Sequence, residues 1–128
     1  MMQHLCIAAA LSLLITAPAF ALDCANATQS NDLIQCAQQQ RQTAQANFTA
    51  EAKKLSQTAA IDSKTRATLA KFYSTARKQL SQSCQTTYTG SRLQAMYVNS
   101  CIVQQIDLLT QSQHAFICSV QQDAEGCA

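Results

Sequence analysis

The cysteines constrain this chain more than any other residues do. Seven occur among its 128 residues, and Cys6 lies inside a predicted export signal. The remaining six are Cys24, Cys36, Cys84, Cys101, Cys118 and Cys127. An even set in a small exported chain is typical of a disulfide framework, because thiols pair in oxidising compartments and small cores need the added stability. The sequence therefore predicts a fold held together by disulfides.

The first 21 residues have the pattern of a cleavable signal peptide. Their apolar stretch, from Leu5 to Ile15, is shorter than the roughly 20 residues that a membrane-spanning helix needs. Pro18 then interrupts the stretch, and Ala19 and Ala21 place small residues where signal peptidase cleaves. We expect removal of residues 1–21 and a periplasmic or secreted protein. A helical domain over residues 22–118 would be followed by a tail over residues 119–128.

The rest of the chain has the composition of an all-α protein. Its only glycines are Gly90 and Gly126, it has no proline after Pro18, and it lacks β-branched runs. Apolar residues recur every three or four positions in three long segments, which indicates amphipathic helices. Because short connections favour antiparallel neighbours, the predicted fold is a disulfide-stapled, up-down-up three-helix bundle.

Capping residues and apolar spacing predict where these helices begin and which faces they bury. Ser30 or Asn31 is expected to cap the first helix, and Ser91 the third. The second helix is expected to start near Asp62 or Ser63, with Ile61 just ahead in the place of a hydrophobic staple. Six residues of the second helix are predicted to face inward: Leu69, Phe72, Tyr73, Ala76, Leu80 and Cys84. The third helix has the widest apolar face, which includes Leu108, and is expected to be the most buried.

Helix geometry limits the 15 pairings that six cysteines allow. A helix rises about 1.5 Å per residue, so three cysteines fall near one end of the predicted bundle: Cys36, Cys84 and Cys101. Since a disulfide requires Cα atoms within about 7 Å, Cys118 at the opposite end is expected to pair with Cys127. Among the other four we favour Cys36 with Cys101, and Cys24 with Cys84.

Positive charge is concentrated in the middle of the chain. The whole chain has a net charge of +2, but six of its cations lie between positions 62 and 92 with one carboxylate: Lys64, Arg66, Lys71, Arg77, Lys78 and Arg92. Beyond position 92 the charged residues are all acidic. Such asymmetry is found on partner-binding surfaces, although a solvated helix face has the same pattern.

Residues with catalytic or metal-binding chemistry are few. His114 is the only histidine after residue 21 and lies four positions before Cys118, the spacing of a dyad or of half a metal site. Zinc would need two further ligands, and a disulfide explains Cys118 better. Asp107 has no carboxylate neighbour at helical spacing, and no Cys-x-x-Cys motif occurs. We therefore expect no enzymatic activity, no metal and no cofactor.

The cysteine pattern and its flanking residues also carry a family resemblance. The run Asp23-Cys24-Ala25-Asn26-Ala27-Thr28 precedes Cys36, a third cysteine closes the second helix, and Tyr97-Val98-Asn99-Ser100 precedes the fourth. In these features residues 22–113 resemble the LprI-like lysozyme inhibitor family. Thr75, Leu80 and Leu109 stand where the family pattern has a tryptophan and two arginines. The resemblance implies a small exported helical domain, with lysozyme inhibition established for few family members.

These observations favour a binding protein with a protein partner. The leading expectation is an inhibitor of a lysozyme-type muramidase, contacting the enzyme through Arg77, Lys78 and Arg92, because a cleft that holds catalytic carboxylates attracts cations. Two alternatives stay open: a periplasmic chaperone or envelope-stress module, and an immunity or virulence-associated interaction protein. A nucleic-acid partner and stable membrane insertion are not expected, and the sequence leaves the oligomeric state open.

Overall fold

The protein is a bundle of three long helices. The computed structural model describes residues 22–90 and 93–127. Helix α1 spans Ser30–Gln57, α2 spans Ser63–Thr87 and α3 spans Gln94–Val120. The predicted all-α, disulfide-stapled bundle is therefore confirmed. The predicted signal peptide, residues 1–21, lies outside the described residues.

Capping explains where α2 begins. The Asp62 carboxylate accepts hydrogen bonds from the backbone N–H of Thr65 at 2.9 Å and from the Thr65 hydroxyl at 2.7 Å. This satisfies one of the free N–H groups at the start of a helix. Ile61, immediately ahead of the cap, is buried in the core. The prediction for this boundary is confirmed.

The other two helices begin without a side-chain cap. Gln29 occupies the N-cap position of α1, so the prediction of Ser30 or Asn31 is wrong by one or two residues. Ahead of α3, Gly90 has a φ of 83°, a left-handed conformation that glycine adopts without strain. Ser91, the predicted cap of the third helix, lies outside the described residues.

Helices α1 and α3 run parallel and pack extensively against each other. In the first half of α1, the Arg41 guanidinium donates a hydrogen bond to the Asn99 side-chain oxygen at 3.1 Å. Farther along, the Glu51 carboxylate lies 3.3 Å from the His114 ring. Both contacts advance in the same direction along the two helices, as an up-down-up bundle requires.

Helix α2 runs antiparallel to the other two and packs mainly against α3. The hydroxyl groups of Tyr73 and Ser112 lie 2.8 Å apart, whereas Cys84, later in α2, is bonded to Cys101, earlier in α3. Contact between α1 and α2 is much sparser. A polar groove consequently remains between these two helices.

The core is centred on α3, as the width of its apolar face predicts. Ile102 and Ile106 are 0% and 1% exposed. The buried apolar residues contributed by the other elements are Cys36, Ala37, Ala44, Phe48 and Leu55 in α1, Ile61 before α2, and Tyr73 and Cys84 in α2. With two buried residues, α2 is the helix that the core anchors least.

Two residues predicted to be inside the bundle lie on its surface. Phe72 and Leu108 are each 59% exposed, so their predicted burial is wrong. Adjacent helix positions point about 100° apart, and Tyr73 already occupies the direction that faces α3. Leu108 lies at the margin of an apolar face wider than α1 and α2 cover.

Three disulfides fasten the ends of the helices. They join Cys24 to Cys36, Cys84 to Cys101, and Cys118 to Cys127, with Cα separations of 5.6, 5.7 and 5.2 Å. Such bonds indicate an oxidising compartment outside the cytoplasm. In residues 22–90 and 93–127, no helix combines the length and apolar character needed to cross a membrane.

Helix register explains which disulfide predictions fail. Cys118 pairs with Cys127 as predicted, but the pairings of Cys36 with Cys101 and of Cys24 with Cys84 are wrong. Because Arg41 lies opposite Asn99, Cys36 is level with about the first residue of α3. Cys101 lies about 10 Å farther along the axis, beyond the roughly 7 Å limit for a disulfide. Each cysteine therefore bonds to its neighbour in sequence.

One buried polar side chain has no partner in the described part of the chain. Gln113 is 0% exposed, and neither its amide nitrogen nor its amide oxygen forms a hydrogen bond. By contrast, buried Asn99 donates to the Ala95 carbonyl at 2.7 Å, and buried Thr58 donates to the Lys54 carbonyl at 2.8 Å. Leaving a buried amide unpaired costs about 1–3 kcal/mol of stability.

The connectivity predicts a specific tryptic map under non-reducing conditions. The fragment that ends at Arg41 contains both Cys24 and Cys36. It should carry their disulfide internally and should not be linked to any other fragment. Residues 79–92 should remain bound to residues 93–128 through the bond from Cys84 to Cys101. Mass spectrometry before and after reduction distinguishes this map from the alternative pairing, which would join all three fragments.

Replacing Gln113 with methionine should stabilise the fold. The substitution keeps an unbranched side chain of similar length and removes the unpaired amide, so we expect the free energy of unfolding to rise by about 1–3 kcal/mol. Urea denaturation followed by circular dichroism measures the change. Ile106→Ala is a useful comparison, because truncating this buried side chain should lower stability by about 2–5 kcal/mol. A destabilised Gln113→Met variant would show that the amide is paired.

Candidate functional site

Helix α2 presents an uncompensated row of positive charge. It contains five cations and no acidic residue: Lys64, Arg66, Lys71, Arg77 and Lys78. None of the five forms an ion pair with any residue that the structure describes. Lys64, Lys71 and Lys78 are spaced seven apart and share the exposed side of the helix. We call the exposed side of α2 that carries Lys71 and Lys78, with Phe72 on one flank and Arg77 on the other, the basic face.

The structure brings together two of the three predicted contact residues. The Arg77 guanidinium carbon lies 5.3 Å from the centre of the Phe48 ring, a cation–π contact that holds this half-buried side chain against α1. Lys78 is exposed at the next position. Both line the polar groove between α1 and α2, which has a volume of about 770 Å³ and includes Gln45. Arg92, the third predicted contact, lies outside the described residues.

Phe72 is the member of the basic face that the sequence did not reveal. Its ring packs edge-to-face on Tyr73, with centroids 5.2 Å apart and planes at 79°. It lines a shallow depression with Lys71 and Ala76. An exposed aromatic ring beside cations is the composition that anchors many protein interfaces. The adjacency of Phe72 and Tyr73 was the available signal, since neighbouring helix positions point about 100° apart and a helix that packs mainly against one neighbour buries only one of them.

A second cluster of reactive groups lies where α3 meets the tail. The Nδ1 atom of His114 is 3.3 Å from Glu51 Oε2, and its Nε2 atom is 3.1 Å from the Gly126 carbonyl oxygen. The sulfur of Cys118, which is bonded to Cys127, lies 3.5 Å from Nε2. Gly126 has a φ of 80°, and a Cβ there would lie 3.3 Å from the imidazole. Glycine therefore permits this close approach of the tail.

The surroundings of His114 favour its charged form. The Gly126 carbonyl and then the Glu51 carboxylate raise the pKa of His114 above its ordinary value of 6.5. Partial burial and the nearby Lys54 ammonium oppose this shift in the pKa. Lys54 itself forms an ion pair with Glu51 at 2.9 Å. A protonated imidazole donates through both nitrogens and so joins α1, α3 and the tail.

In its disulfide-bonded state the cluster offers no thiolate. The sulfur of Cys118 is bonded to Cys127, and only a free thiolate acts as a nucleophile or a metal ligand. Asp107, the residue considered above for acid–base catalysis, lines a separate surface pocket with Cys24 and Val103. The absence of enzymatic activity stays a prediction.

The raised pKa of His114 predicts that stability falls with rising pH. The folded state binds the proton more tightly than the unfolded state, whose imidazole titrates near its ordinary pKa of 6.5. The stabilisation is thus fully present below about pH 6 and is lost as the pH rises through the higher folded pKa. Thermal unfolding between about pH 5 and pH 9 should show this decline, and His114→Gln should abolish it. An unchanged pH profile in that variant would contradict the assignment.

Comparison with known proteins identified no relative of this chain. No protein-family model, curated protein or solved structure matches the chain. The resemblance to LprI-like inhibitors accordingly stays a prediction, carried by the opening motif and the cysteine spacing. Functional inference for this chain depends on the charges and contacts of its own residues.

Proposed function

We propose that this chain is a periplasmic or secreted binding protein that inhibits a lysozyme-type muramidase through its basic face. The observation that carries the proposal is the uncompensated charge of α2, which has five cations and no acidic residue beside the exposed ring of Phe72. The resemblance to the LprI-like family supplies the class of partner. The basic face supplies a positively charged surface that is complementary to the carboxylates of a muramidase cleft.

Charge and shape assign different tasks to the residues of this face. A muramidase cleft holds catalytic carboxylates, so Lys71 and Lys78 would accelerate association by long-range attraction. Phe72 would supply the apolar anchor, because buried aromatic side chains contribute much of the binding energy at protein interfaces. Arg77 is held in place by Phe48 and would donate hydrogen bonds to a carboxylate at the rim of the cleft. A single helix lying across the cleft would exclude the substrate.

Two connections to α3 hold α2 in place for such binding. The disulfide between Cys84 and Cys101 fixes the end of the helix, and the hydrogen bond between the Tyr73 and Ser112 hydroxyl groups fixes its middle. A surface that is already ordered loses less conformational entropy when it binds. Reduction of the disulfide should therefore weaken inhibition even where the helix persists.

The direct test adds purified oxidised protein to a muramidase and follows the clearing of a bacterial cell suspension. We expect inhibition at micromolar protein that weakens as salt is added, because exposed charges are screened. Phe72→Ala and Lys78→Glu should each raise the concentration needed for half-inhibition about tenfold, which corresponds to about 1.4 kcal/mol. Both side chains are exposed, so these substitutions should leave the fold unchanged.

Lys53→Glu provides the matched control. It makes the same charge change as Lys78→Glu on an exposed position of α1, outside the basic face. If Lys53→Glu weakened inhibition as much as Lys78→Glu does, the effect would depend only on net charge. That result would contradict a specific binding surface. Absence of inhibition at micromolar excess would retire the muramidase proposal. Suppression of client aggregation would then favour the chaperone alternative, and capture of one tight partner would favour an immunity protein.

A further inference from the structure

We propose that reduction of the disulfide between Cys118 and Cys127 converts the His114 cluster into a zinc-binding site. The protein ligands would be His114 Nε2 and the two cysteine sulfurs, and a water molecule would complete the tetrahedron. This donor set is of the Cys₂His type found around zinc in proteins. The sequence indicated two of these ligands, His114 and Cys118, because they are four positions apart on α3. The fold brings Cys127 close to them as the third.

The donor atoms are already close to the separations that zinc requires. A ring nitrogen of His114 and the two sulfurs all lie within 4.8 Å of one another. With Zn–N near 2.0 Å and Zn–S near 2.3 Å, tetrahedral geometry places a nitrogen and a sulfur ligand about 3.5 Å apart. The sulfur of Cys118 lies 3.5 Å from Nε2 in the structure. Two of the three ligands therefore need little movement.

A carboxylate behind the histidine supports the assignment. Glu51 Oε2 lies 3.3 Å from Nδ1, the ring nitrogen that would not bind the metal. Zinc-bound histidines usually donate this second N–H to a carboxylate or a carbonyl, which fixes the tautomer and the direction of the ring. Lys54 holds Glu51 through an ion pair at 2.9 Å. Glu51 is therefore a positioning residue for the proposed site.

The remaining movement falls on a short segment at the end of the chain. Once the disulfide is broken, the sulfur of Cys127 must move to about 3.8 Å from that of Cys118 for tetrahedral zinc. Cys127 follows α3 in a segment of turns, and its backbone N–H bonds locally to the Ala124 carbonyl at 3.1 Å. Nε2 would exchange its contact with the Gly126 carbonyl for the metal. No helix has to move.

The chemistry balances with a dithiol as reductant. Two electrons and two protons pass from the dithiol to the bond between Cys118 and Cys127, giving two protein thiols and the oxidised, cyclic reductant. Zinc then displaces the proton of each thiol as it binds. Cys118 and Cys127 are both partly exposed, whereas in the disulfide that holds α2 only Cys101 is partly exposed and Cys84 is 2% exposed. A small reductant should therefore reach the tail disulfide before the one that holds α2.

The test measures zinc binding by the mature chain in both oxidation states. After mild dithiol treatment and removal of the reductant under argon, zinc is titrated against a chromogenic chelator, and alkylation mapping identifies the free thiols. We expect one zinc ion per reduced chain and none per oxidised chain. Cobalt as a probe should give thiolate-to-metal charge-transfer absorption and the intense visible bands of tetrahedral coordination.

Variants separate the proposed ligands from other thiols. Cys127→Ser and His114→Gln should each weaken zinc binding about a hundredfold or more, and Glu51→Gln, which keeps all three ligands, about tenfold. After the same reduction, the double variant with Cys24→Ser and Cys36→Ser should bind zinc with the affinity of the reduced parent chain. Circular dichroism checks that each variant is folded. Retention of full affinity in Cys127→Ser, or its loss in the Cys24 and Cys36 variant, would overturn the site.

Discussion

The disulfide between Cys84 and Cys101 is the constraint on which the position of α2 depends. Helices α1 and α3 supply most of the buried apolar residues, but α2 buries only Tyr73 and Cys84. One of these two anchors is thus itself a disulfide partner. A 17-residue separation gives a stabilisation of about 3 kcal/mol in the chain-entropy estimate. That is comparable to the burial of one or two large apolar side chains, so α2 stays docked with little apolar contact of its own.

Because a disulfide anchors α2, most of the surface of this helix is available to contact a partner. Its outward positions carry lysines seven apart, its flank carries an exposed phenylalanine, and a polar groove separates it from α1. A helix that had to bury a wide apolar stripe could not present this combination, because more of its circumference would be committed to the core. The sparse contact between α1 and α2 is therefore what makes the basic face accessible.

Periodicity and capping account for what could be predicted from the sequence. The spacing of apolar residues located all three helices, and the local pattern of Asp62 and Ile61 located the start of α2. The pairing of Cys118 with Cys127 followed from axial distance alone. The other two pairings depend on how far α1 is shifted along α3, and the amphipathic pattern leaves that shift undetermined. The exposure of Phe72 likewise depends on which side of α2 has a neighbour.

The tail cluster was found in part because His114 and Cys118 are close in sequence, whereas Glu51 and Gly126 became visible only in the fold. Glu51 lies 63 residues from His114, and no local pattern links them. The bundle also separates this cluster from the fixed end of α2, since Cys101 and Cys118 are about 25 Å apart along α3. Two disulfides with different accessibility thus control two different regions. We expect opening of the tail disulfide to change the surroundings of His114 and to leave α2 docked, and opening of the bond between Cys84 and Cys101 to release the basic face.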